Sequence, residues 1–163
     1  MKYYEDFYAD HKNENNDKQE IIQVIYEAHS AGFNFTGLES DKYEKNEIQD
    51  AINRRYDLFT QTNTLHISTL AKHNESNEIA GVCIAGIYPD SPNKFSVAHQ
   101  VSVRPQFRRR GIAEAMMLNS IDKASSVSPV ITLGVTVGNP AELLYNKIGF
   151  LGGPKSSELH YII

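Results

Sequence analysis

The sequence predicts an α/β (α+β) domain, and three observations carry that expectation. Phe95, Val97, Val101 and Val103 recur at period two and stop at Pro105, which has no N–H to continue a ladder. A strand therefore runs into a loop there. Ala113, Met116, Met117, Ser120, Ile121 and Ala124 then recur at helical spacing, so a helix opens near Gly111. Upstream, two apolar runs separated by the turn residues 74–78 read as an antiparallel hairpin.

A chain of 163 residues, 40% of them hydrophobic, with no Pro/Gly/Ser-rich linker, reads as one domain over residues 1–163. The first seventeen residues are polar and aromatic with no long apolar run. They make neither a signal peptide nor a membrane span, and a cytoplasmic protein is the default expectation. A formal net charge of −4 argues against general nucleic-acid binding. Cys83 is the only cysteine, which excludes an internal disulfide and a cysteine-based zinc cluster. It lies in the apolar run IAGVCIAG and reads as a buried structural thiol.

Taken in order, residues 2–8 carry Tyr3 and Phe7 at strand-like alternation and suggest a short first strand. Asp17 and Glu20 have the spacing of a capping box, and Ile21, Val24, Ile25 and Ala28 form the stripe of a helix that Gly32 is expected to end. Phe33 and Phe35 fall in a connection before a second helix, roughly 41–58, where Ile48, Ala51, Ile52 and Tyr56 share a face. Leu65, Ile67, Thr69 and Ala71 alternate as the first hairpin strand, and residues 79–88 as the second. Gly81 and Gly86 inside that second strand mark a bulge or a close approach. Residues 89–92 turn the chain into the strand that ends at Pro105. Beyond the following helix, residues 130–137 read as an apolar strand, and Asn139, Pro140 and Glu142 suit the N-cap, N1 and N3 positions of a last helix closed by Gly149. A final hairpin fits around Gly152, Gly153 and Pro154.

The segment VSVRPQFRRRGIA, residues 101–113, has the makings of an anion cradle. The first N–H groups of a helix lack internal partners and lie at the positive end of its dipole, where phosphate is the natural guest. Gly111 lets backbone approach an anion without a Cβ in the way, and Arg104, Arg108, Arg109 and Arg110 reverse the sign of the chain locally. A solvated arginine loop is the plainer reading of the same run.

Arg108-x-x-Gly111-x-Ala113 resembles the Gln/Arg-x-x-Gly-x-Gly/Ala signature of the GNAT-type N-acetyltransferase superfamily, and it lies between a strand and a helix as that signature does. Downstream, VTVGNPAELLYNKIGF resembles the family's second signature, with Asn139, Tyr145, Gly149 and Phe150 in the matching order. The resemblance covers the chain well from about Leu65 onward. It implies a mixed, mostly antiparallel sheet of six to seven strands flanked by about four helices, with a splayed strand pair that admits acetyl-CoA. It also implies that the backbone of Val101, Ser102 and Val103 pairs with the pantetheine arm. The N–H groups of Arg108, Arg109, Arg110, Gly111, Ile112 and Ala113 would hold the pyrophosphate, and Asn139 and Tyr145 would touch the cofactor. Phe33, Asn34 and Phe35 become candidates for contact with the acceptor, although two aromatics packing helices onto the sheet explain the pattern as well.

The implied reaction is attack of a neutral amine, on a small molecule or a peptide, upon the thioester carbonyl. It needs a deprotonated amine, a donor for the developing oxyanion and a proton for the thiolate. The Val103 N–H suits the second need and the Tyr145 hydroxyl the third. No acid lies between Asp90 and Glu114, so His99 is the candidate base, against a reading in which it is a hydrogen-bonded packing histidine. The expected partners are acetyl-CoA and an amine, with no metal, nucleic acid or membrane; homodimers are common in the family. A non-catalytic acyl-CoA-binding module is the alternative.

Overall fold

The computed structural model describes residues 5–6, 14–36, 45–60, 65–88, 95–136 and 138–153. At its centre is β3, Ile79–Ile87, whose sequence IAGVCIAGI is buried for eight of nine residues. A strand covered on both faces reads as a continuous apolar run rather than an alternation. β2, Thr69–Lys72, pairs with it antiparallel on one side and β4, Ser96–Val103, antiparallel on the other. The two-residue β1, Glu5–Asp6, extends β2 antiparallel, and β5, Ile131–Leu133, lies parallel to β4. The order is β1-β2-β3-β4-β5.

Helices cover both faces. Val82 and Ile84 pack with Ile21, Val24 and Ile25 of α1, Glu14–Thr36, and Ile52 of α2, Lys45–Thr60. Cys83, between them, points the other way into a cluster with Met116 and Met117 of α3, Ile112–Ser125. Tyr145 of α4, Ala141–Lys147, packs against that second cluster. Gly81 has a steric reason to be glycine: a Cβ there would lie 2.9 Å from both the Ser102 carbonyl oxygen and Met116 Cε.

Several expectations are corrected. α1 continues through Gly32 to Thr36, because a helix-interior glycine costs only about 1 kcal/mol and does not by itself end a helix. Phe33, Asn34 and Phe35 are therefore helical, not part of a connection. The first hairpin strand is shorter than its alternation suggests: residues 65–67 form a 3₁₀ turn, and the ladder begins at Thr69. β5 spans three residues where eight were expected, and Val130 is 52% exposed, so its apolar composition reflects an edge rather than a core. Five strands and four helices stand among the described residues. Most of residues 2–8 and of the expected C-terminal hairpin lie outside the described residues, and 150–153 carry no strand.

Arg104 fastens α1 to the sheet. Its guanidinium lies 3.2 Å from Glu27, 3.1 Å from Glu78 and 3.7 Å from Glu20. Glu20 also accepts the Ile79 N–H at 2.8 Å. This arginine is committed to holding the fold and adds no free charge to the loop that follows.

Candidate active site

Among the described residues the end of β4 is open on one side. Its ladder with β5 covers only Ser96 to Ala98, while β3 remains paired with it as far as Val103. One irregularity decides which backbone groups face the gap. Ala85 pairs with Ala98 but Ile84 pairs with Gln100, leaving His99 as the extra residue of a bulge. The Arg104 N–H donates to the Ala80 carbonyl, so by the alternation of antiparallel bonds Ser102 also turns its backbone to β3, and Val101 and Val103 turn theirs outward. The Val103 carbonyl is taken by Arg108 Nε at 3.2 Å. Among the described residues nothing else pairs with the Val103 N–H or with either backbone group of Val101, which are left to meet a guest, whereas Ser102 is not.

The bulge also corrects the strand's faces. Ala98, Val101 and Val103 share the cluster with Met116 and Met117, so Val97 and Val101 lie on opposite faces despite their even spacing. Gln100 turns toward α1. His99 sits edge-on to Tyr88, with its Nε2 3.2 Å from the Tyr88 hydroxyl.

Beyond β4, Pro105–Phe107 makes a 3₁₀ turn and buries Phe107. The first α3 bond is Ala115 N–H to the Gly111 carbonyl, and no side chain caps the helix. The amides of Ile112, Ala113 and Glu114 therefore precede any intrahelical acceptor. Gly111 has φ +77 and Arg109 φ +62, the left-handed turns that aim successive amides at one place. A Cβ at Gly111 would meet nothing within 4 Å. Its requirement is the backbone angle, not room, and the space before it is open. Arg108 reaches away, donating to the Ala28 carbonyl at 2.8 Å, so of the arginine run only Arg109 and Arg110 stand exposed.

Tyr145 packs against the cluster that also takes Val101, Val103 and Leu133, its ring edge-on to Phe150 at 5.9 Å. Burial, then the nearby Cys83, pushes its hydroxyl up to about 12, so it holds its proton. Burial likewise pushes the Cys83 thiol to about 11, eased by a bond from Ser120; it is structural and unreactive. Asn139 uses its side-chain oxygen to accept the Ala141 N–H at 3.0 Å, opening α4.

On the opposite face of the sheet, α1 and α2 enclose a cavity of about 500 Å³. Ile84 and Gln100 form its floor, with Ile25, Ile52 and Tyr56 among its walls. His29 also lines it, its Nε2 3.3 Å from the Gln100 side-chain nitrogen, which lies 2.8 Å from Ser102 Oγ. Burial, and to a lesser degree Arg55, lowers the His29 pKa below 6.5 although the Gln100 bond opposes this; the ring is neutral at pH 7. The sequence reading passed over His29, because the bond that marks it spans 71 positions.

Among the described residues no group of three or more His, Cys, Asp or Glu could hold a metal, and no helix is long and apolar enough to cross a membrane. A strand edge left unpaired beside a helix N-terminus whose amides lack acceptors suits a ligand with an extended amide arm and a phosphate. That is the geometry of a coenzyme A site, and it defines a class: acyl-CoA-using α/β proteins. The Acetyltransferase (GNAT) family model matches residues 22–150, and the chain belongs to this family. A search of curated proteins returns no match. A Pyrococcus horikoshii protein is similar in fold, with TM-score 0.75, 18% identity, 94% of this chain and 91% of that chain covered. A Trypanosoma brucei acetyltransferase superposes with TM-score 0.60 at 16% identity, covering 91% and 95%. An aminoglycoside N-acetyltransferase in complex with CoA has TM-score 0.55 and 18% identity, covering 69% and 77%.

Proposed function

We propose that the chain is an acetyl-CoA-dependent N-acetyltransferase acting on a small-molecule amine by direct transfer. The observation that carries this reading is the gap beside Val101 and Val103, continuous with the uncapped start of α3 and backed by a cavity on the other face. Val101 would pair with the pantetheine arm, and the amides from Arg109 to Ala113 would hold the pyrophosphate. Acetyl-CoA supplies an activated acyl carbonyl and a thiol leaving group. The Val103 N–H donates to the carbonyl oxygen as negative charge grows there.

His29 replaces His99 as the base in this proposal. It lines the cavity and is neutral at pH 7, and its Nε2 takes the proton once the incoming amine displaces the Gln100 side-chain N–H that faces it at 3.3 Å. The amine N–H bond breaks toward His29 as nitrogen attacks, and the carbon–sulfur bond breaks with its electrons on sulfur. Tyr145 donates a hydrogen bond to that sulfur. Complete transfer from a hydroxyl at about 12 to a thiol near 8.5 is uphill by about 5 kcal/mol, so hydrogen bonding is its main contribution. A cavity of about 500 Å³ suits a small acceptor rather than a protein surface.

Thermal unfolding with and without acetyl-CoA, using ADP and a polyanion as controls, tests the cofactor. A ligand that binds only the folded chain raises Tm by mass action. A rise specific to acetyl-CoA, followed by thiol release with an amine panel, is the expected result. No rise at millimolar acetyl-CoA would defeat the reading.

A further inference from the structure

The cavity beneath α1 and α2 has a polarity that the acetyl-transfer reading does not require. Its floor is the sheet, with Gln100 and His29; its mouth is the exposed side of α2. Glu47 lies near the start of that helix, and Arg54 and Arg55 follow seven and eight positions later, about 11 Å along the axis. All three line the same cavity because residues i, i+4 and i+7 or i+8 share a helix face, with Ala51 between them.

Among the described residues the two arginines also have no ion-pair partner. Lys18 pairs with Asp57, Arg104 with three carboxylates and Lys147 with Glu114, and Arg108 donates to two carbonyls. No ion pair or hydrogen bond with the described residues engages Arg54 or Arg55, whereas Glu47 has a partner already. Two neighbouring guanidiniums at the mouth of an apolar cavity, in a chain of net charge −4, are a local reversal of sign with a built recess behind it. The planar fork of arginine matches a carboxylate in a way that a lysine point charge does not.

We propose that the acceptor is an amine bearing a carboxylate on an apolar body, with the carboxylate held by Arg54 and Arg55 and the amine delivered past the apolar walls to His29. The proposal rests on the reading of this cavity as the acceptor site. It selects against polyamines, whose remote cationic ends would face two like charges, and against neutral amines, which leave both arginines without a partner.

The test is a matched panel: 4-(aminomethyl)benzoate and 4-(2-aminoethyl)benzoate, the carboxamide of each, and spermidine. Thiol release gives kcat/KM, and calorimetry gives binding without turnover. The acids are expected to exceed their amides by at least tenfold in both readouts, with spermidine weakest, and added salt should shrink the ratio. Arg54→Ala and Arg55→Ala should collapse the acid-to-amide ratio toward one, and Arg55→Lys should restore only part of it. A melting curve for each variant confirms that it is folded. Acids that bind and lose affinity in the arginine variants, with no thiol released, would sustain anion recognition and sink acetyl transfer. Turnover with amides or spermidine equal to that with acids would sustain acetyl transfer and overturn this proposal.

Discussion

Burial pushes the Tyr145 hydroxyl up and the His29 imidazole down, each toward its neutral form, and the roles proposed for them yield separable predictions. Tyr145→Phe would remove the proposed bond to the leaving sulfur while keeping the ring against Phe150, so kcat should fall by about 10²-fold with acetyl-CoA affinity changed less than threefold. Unchanged kcat would remove Tyr145 from the chemistry. For His29 the sign follows from burial: its folded pKa lies below 6.5, so the neutral form persists at pH 7 and is lost as pH falls through that lowered value. The pH profile of kcat/KM should therefore show an acid limb below pH 6.5 that His29→Gln abolishes, with a loss of about 10²-fold or more at pH 7. An acid limb that persists in the variant belongs to another group. The same depression makes His29 a stability term present above pH 6.5 and lost below it, since the unfolded chain then binds the proton more readily. Tyr145 could be singled out in the sequence because its motif is local. His29 could not, since its meaning comes from a strand 71 residues away.

Two glycines show how elements, rather than single residues, build the cofactor edge. At Gly111 the constraint is the left-handed φ of +77, with open space around the missing side chain. Gly111→Ala should cost about 1–2 kcal/mol from backbone strain, and should weaken acetyl-CoA binding because the next amides are re-aimed. At Gly81 the constraint is contact: a Cβ 2.9 Å from the Ser102 carbonyl must push β3 from β4, since the obstacle on that side is backbone. Gly81→Ala should lower stability by about 1–3 kcal/mol, and urea unfolding of the two variants measures both costs. A neutral Gly81→Ala would mean that the strands separate freely. Both positions could be singled out in the sequence, but the reason for Gly111 could not, because sequence does not distinguish a glycine needed for its angle from one needed for room. The bulge at His99 was hidden for a related reason. Period two predicted Val97 and Val101 on one face, and a single inserted residue turned Val101 and Val103 outward to the gap instead of Gln100 and Ser102.

At the scale of the whole molecule, the gap beside β4 and the cavity proposed for the acceptor open from different faces of one sheet, so α1 must be held in register with β4 for the proposed reaction. Arg104 does this from the end of β4, reaching Glu20 and Glu27 on α1 and Glu78 at the start of β3, with its side chain only 12% exposed. The sequence reading counted Arg104 among the cradle's charges, as any local reading would, because Glu27 lies 77 positions away. Arg104→Met keeps most of the aliphatic packing and leaves three carboxylates without their cation. Breaking a well-buried pair costs about 3–5 kcal/mol, and because these carboxylates are a quarter to a third exposed, a loss of about 2–3 kcal/mol is expected. That corresponds to a drop in Tm of about 5–10 °C for a domain this size. Combining Arg104→Met with Glu27→Gln should cost less than the sum of the two, since the second change removes a charge the first has stranded. Strict additivity, or a shift in Tm of less than about 2 °C, would show that α1 is held by its apolar face alone. Glu27 precedes His29 by two residues on α1, so the same variant should raise KM for the amine before it alters acetyl-CoA affinity. An equal effect on both would place the loosened contact on the cofactor side instead.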